Sequence, residues 1–155
     1  MLPQTTAPEA MRREEFPIRR RPDVVVASSQ ARRLARGHGL DARRAAELAI
    51  VVSELASNIV KHGIEGEIVL TFHSPGGEIT VEARDVGPPI RDLHVAMTDG
   101  CDDRGPIDPA DLLRRGGLGT GLGAVARFAD RVEYREESDG KTITAWFFPR
   151  RSSKN

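Results

Sequence analysis

Between Asp41 and Gly63 the chain carries one long helix with a single apolar stripe, and that stripe limits the possible architectures. Leu48, Val52, Leu55 and Ile59 fall at i, i+4, i+7 and i+11, one face of a helix, with Asp41 placed to cap the first turn. A helix that is apolar on one side must bury that side against a second layer. Two stretches can supply the layer: "GEIVLTFHS" and "GEITVEARD" alternate in the manner of strands, and Pro75, Gly76 and Gly77 between them predict a hairpin turn.

The remaining elements follow from the same signals. "FPIRR" predicts a short edge strand beginning at Phe16, and from Asp23 the pattern Val24, Val25, Ala27, Ala31, Leu34 and Ala35 gives a helix that Gly37 and Gly39 stop. Ile90 to Met97 predicts a short helix, and a loop rich in Gly, Pro and Asp follows it. After the run "GGLGTGLG" a helix continues to Asp130, and "RVEYREE" and "KTITAWFFP" close the chain as strands around an Asp139–Gly140 turn. This order predicts an α+β fold, a two-layer α/β sandwich whose mostly antiparallel or mixed sheet carries helices on one face. The expected organisation is a tail over 1–15, one domain over 16–149 and a disordered end over 150–155.

Composition narrows the function classes. The 155 residues carry 23 basic and 23 acidic side chains, so no global field recruits nucleic acid or an anionic membrane. No run reaches the length of a membrane span and the N-terminus has no signal-peptide core, which predicts a cytoplasmic protein. Cys101 stands alone, in keeping with a reducing compartment.

Three stretches carry chemistry. The run from Gly116 to Gly123 places five glycines in eight residues ahead of a helix, an arrangement that lets backbone approach an anion closely. It lacks the Gly-Lys-Ser or Gly-Lys-Thr of a P-loop. The Rossmann spacing can be forced through Gly119, Gly121 and Ala124, but "DPADLLRR" precedes the run where a buried strand would be required. On the flank of the long helix, Glu54 and Asn58 stand one turn apart and point the same way. They read either as a solvated polar face or as a carboxylate base beside an amide oxygen suited to Mg²⁺. Asp85 ends a strand and Gly87 follows before Pro88 and Pro89, which is either ordinary turn chemistry or a carboxylate able to accept a hydrogen bond from an adenine amine.

Taken in order, "SELASNIVKHG", "DVGPPI" and "GGLGTGLG" resemble the N, G1 and G2 boxes of the GHKL ATPase and kinase superfamily, whose nucleotide fold is of the Bergerat type. Within it the chain resembles the anti-sigma regulatory serine/threonine kinases of the RsbT and RsbW kind, and RsbT most. The resemblance implies ATP or ADP with Mg²⁺ as the bound species, Asn58 on the metal, Glu54 as general base, Asp85 on the adenine amine and Gly87 making room for the ring. It implies that Gly117, Gly119, Thr120, Gly121 and Gly123 form a lid over the phosphates, and that Thr142 lies beside the adenine pocket within reach of Asp85 or a bridging water. His62 is either a pocket-mouth residue or a surface histidine. Pro89 departs from the G1 pattern, where a second glycine stands. The implied partners are a STAS-domain antagonist protein as substrate and a PP2C-type phosphatase or a sigma factor, with neither nucleic acid nor membrane. A non-catalytic module that sequesters a sigma factor or another partner is the alternative reading.

Overall fold

A computed structural model describes residues 11–62, 64–73, 77–90, 101–102, 105–106 and 122–149. Five antiparallel strands form one sheet, β1 (Arg12–Ile18), β2 (Gly66–Phe72), β3 (Ile79–Asp85), β6 (Arg131–Glu137) and β7 (Gly140–Phe147), in the order β1-β2-β3-β7-β6. Helices α1 (Arg21–Gly37), α2 (Ala42–His62) and the six-residue α3 (Gly123–Phe128) accompany it among the described residues. Two-residue strands β4 (Cys101–Asp102) and β5 (Gly105–Pro106) pair with each other inside the stretch expected to be an irregular loop. The expected α+β sandwich is thus observed, with every pairing in its sheet antiparallel.

The stripe of α2 makes the core. Leu48, Val52 and Leu55 are fully buried and Ile59 nearly so, packed with Ile68 and Leu70 of β2, Val81 of β3, and Ile143, Ala145 and Phe147 of β7. On the other side α2 meets α1 through small side chains, among them Ala27, Ala31, Ala45 and Ala49, which let the two helices approach closely. The Ser28 hydroxyl crosses that seam to donate to the Ala49 carbonyl at 2.9 Å. Gly39 links the helices with a φ of +108°, backbone that disfavours any side chain, and the Asp41 carboxylate caps α2 by accepting the Arg44 amide at 2.7 Å.

One strand is longer than its sequence pattern predicts. β1 begins at Arg12 rather than Phe16, so residues 12–15 belong to the sheet and not to a tail. Their charges carry no apolar alternation, but in a strand i and i+2 share a face, and Arg12 pairs with Glu14 and Arg13 with Glu15 at 2.9 Å each. The α1 helix starts two residues before the expected Asp23, with Pro22 in its first turn. The helix after the glycines ends at Phe128, two residues before the expected Asp130. Of the helix expected from Ile90 to Met97, Ile90 is not helical and the rest lies outside the described residues.

Arg44 fastens the second half of the chain to α2. Its buried guanidinium donates to the Phe128 carbonyl at 2.6 Å, to Glu47 at 2.9 Å and to Asp130 at 2.5 Å, and it lies 4.6 Å above the Phe147 ring. Asp130 in turn accepts the Phe148 amide at 2.7 Å. One group therefore fixes where α3 ends, where β6 begins and where β7 stops. Replacing Arg44 with Met strands Asp130 and the Phe128 carbonyl, and should cost about 3 kcal/mol, a fall in melting temperature of roughly 6–12 °C. A thermal melt of Arg44→Met within 2 °C of the unmodified protein (about 0.5–1 kcal/mol) would remove this role.

Candidate functional site

The candidate site gathers where α2 ends over the C-terminal end of β3. Glu54 and Asn58 are half-buried on α2, each preceding a core residue, Leu55 and Ile59. Asp85 closes β3 and pairs in register with Gly66, the first residue of β2. Gly66 shows how tightly these parts meet. A Cβ placed there would lie 2.5 Å from the Ile59 side chain, 2.7 Å from the Arg84 carbonyl and 3.1 Å from Asp85 Cβ. The turn of α2 that carries Asn58 is therefore pressed against the end of the strand that carries Asp85, and only glycine permits the contact.

The electrostatics of α2 single out Glu54. Burial raises its pKa, and Lys61 opposes the shift only in part. Glu54 and Asn58 together offer a carboxylate and a neutral amide oxygen on one helix face, a donor set that fits Mg²⁺ carried by phosphates.

The strand end is held by short contacts. Asp85 Oδ1 accepts the Gly87 amide at 2.7 Å and the Lys141 ammonium at 2.7 Å, with the Asp85 and Lys141 side chains 3% and 1% exposed. Beyond it the segment 87–90 has only two amides, since Pro88 and Pro89 supply none. Gly87 gives its amide to Asp85, and Ile90 gives its own to the Tyr134 hydroxyl of β6 at 3.0 Å. Both are satisfied, so the prolines make this rim stiff. Burial, ahead of the Ile90 contact that opposes it, raises the Tyr134 pKa.

Thr142, expected beside the adenine pocket, lines a cavity together with Asp85 but makes no hydrogen bond to it among the described residues. Successive strand residues face opposite sides, and Ile143, Ala145 and Phe147 point into the core. Lys141 shares their face and meets Asp85, its register partner, whereas Thr142 lies opposite Arg84 on the other face, with its hydroxyl toward Glu137 at 3.4 Å. The residue beside Asp85 is Lys141, and the inward parity of "KTITAWF" was the signal for it. Gly123 is the buried first residue of α3, His62 is exposed at the end of α2, and Gly117, Gly119, Thr120 and Gly121 lie outside the described residues. A cavity of about 390 Å³ opens near Asp85, lined by Glu65, Arg84, Glu137 and Thr142 among others, but neither Glu54 nor Asn58 lines it. Asp85 and Lys141 themselves are among its lining residues.

A family profile described as the histidine kinase-like ATPase domain matches residues 16–147, nearly the whole described sheet and the three described helices. The chain belongs to that family. Membership implies ATP binding, usually with Mg²⁺, which agrees with the oxygen donors on α2. No curated protein matches this ATPase domain. Among the described residues no helix is long and apolar enough to cross a membrane.

Glu54 also makes the stability of the ATPase domain depend on pH. Its pKa is higher folded than unfolded, so its favourable share is complete below the ordinary glutamate value of about 4.3 and is lost as pH rises through the folded value. Glu54→Gln should therefore melt with the unmodified protein at low pH and above it at neutral pH. Melting curves from about pH 4 to 7 check this, and a difference that stays constant across the range contradicts it.

Proposed function

We propose that this domain is an ATP-dependent protein serine/threonine kinase of a partner-switching cascade in the cytoplasm. Its substrate is a serine or threonine on a STAS-domain antagonist protein, as the RsbT-like motifs imply, and a PP2C-type phosphatase or a sigma factor is a further partner. The observation that carries the reading is Glu54, a half-buried carboxylate with a raised pKa one turn before Asn58. Burial brings such a group nearer the operating pH, where a general base is most effective.

Phosphoryl transfer asks the protein mainly for positioning and for groups that meet developing charge. MgATP would supply the transferable γ-phosphoryl group, and its metal would offset charge on the phosphate oxygens. Asn58 would offer its amide oxygen to Mg²⁺, and Glu54 would accept the proton of the incoming hydroxyl as that hydroxyl oxygen bonds to the γ-phosphorus and the bond to the β–γ bridging oxygen breaks, releasing ADP. Asp85 Oδ1 already holds two donors, which leaves Oδ2 to accept from the exocyclic amine of adenine. Gly87, without a side chain, leaves the ring its space, and the glycine motif alone assigns Gly117, Gly119, Thr120, Gly121 and Gly123 to the phosphates.

Incubation with labelled ATP and a STAS-domain protein tests the reading. Label should appear on a serine or threonine of the partner, and Glu54→Gln should abolish it. The same variant should keep the stabilisation by MgATP, roughly 2.7 kcal/mol at about a hundred times the dissociation constant. Stabilisation by nucleotide without any transfer, to STAS-domain partners that the protein binds, would indicate a non-catalytic module instead.

A further inference from the structure

Lys141 is the buried charge that the reading above leaves without a task. Its ammonium carries three protons, and among the described residues only Asp85 Oδ1 receives one. The side chain is 1% exposed, so bulk solvent does not cover the other two. A buried donor left short of acceptors is costly, and the shortfall points to an acceptor that arrives with a ligand. Asp85 Oδ2, to which no described residue donates, is the other oxygen of the same carboxylate. Together that oxygen and the ammonium present one acceptor and one donor side by side, locked by the Gly87 amide and by the register of β3 with β7.

That pair matches the edge of an adenine ring. The exocyclic amine donates, and ring nitrogen N1 next to it accepts. We propose that Lys141 is a base-reading residue whose ammonium donates to N1 of the bound adenine while Asp85 Oδ2 accepts from the amine. The inference rests on the nucleotide-site reading above and adds a contact to it. A 6-oxopurine reverses both atoms, offering an oxygen to the carboxylate and an N–H to the ammonium, so guanine and hypoxanthine nucleotides are rejected at two points. The ion pair serves ligand recognition as well as packing.

The test compares binding of MgATP, its 1-deaza analogue, in which C–H replaces N1, and its 7-deaza analogue, which keeps N1. The unmodified protein should bind the 1-deaza analogue at least about tenfold more weakly than ATP, the loss expected for a hydrogen bond from a charged donor. The 7-deaza analogue should bind like ATP. In Lys141→Met, which keeps the aliphatic stem, the gap between ATP and 1-deaza-ATP should close, a change that a purely structural role of Lys141 would not produce. Should that variant fail to fold, the unmodified protein still decides against the proposal if ATP and 1-deaza-ATP bind equally. Equal binding overturns the role of Lys141 and leaves the nucleotide site standing, whereas no binding of any of the three overturns both. A gap that persists in folded Lys141→Met assigns N1 to another group.

Discussion

Helix α2 is held at its two ends by opposite means, and the rest of the molecule is arranged around that. Near its start a charge does the work: the Arg44 guanidinium gathers Phe128, Asp130 and the Phe147 ring, elements more than eighty residues away in the chain. Near its end a missing side chain does it, because Gly66 lets Ile59 press against the end of β3. Between these points the apolar stripe fills the core. The helix cannot slide or roll without opening one of the three, so the half-buried face with Glu54 and Asn58 keeps a fixed height over the sheet.

The same economy governs the strand end. A carboxylate at the close of β3 has to satisfy its turn, its neighbouring strand and any ligand with two oxygens. Asp85 divides them, one to Gly87 and Lys141 and the other to no described residue. With Pro88 and Pro89 removing two amides and Tyr134 holding the last, the rim resists adjustment. Part of the site is thus formed in advance, which lowers the ordering cost of binding.

Much of this was legible in the sequence because it lies in periodicity. The stripe of α2, its Asp41 cap, the β2–β3 pair and the closing strands follow from patterns that burial imposes locally. β1 looks shorter in sequence than it is because its first four residues replace apolar alternation with charge pairs, a regularity that only a strand reveals. Thr142 was assigned by motif, and motif does not fix which face of a strand a residue takes. Parity does, and it places Lys141 beside Asp85. Arg44 was out of reach, since nothing near it in sequence announces partners as distant as Phe128 and Asp130. The raised pKa of Glu54 depends on burial by the whole fold.

The charge pairs of β1 recur at the far side of the sheet. On β6, Arg131 pairs with Glu133 and Arg135 with Glu137, so both border strands of the described sheet carry Arg and Glu in alternation along a face. A border strand exposes amides and carbonyls that another chain could capture, and charged side chains, with Pro17 removing one amide from β1, make that capture unfavourable. An open sheet in a crowded solution is a seed for fibrous growth. Here the residues that hide β1 from sequence pattern reading also deny a second sheet its purchase.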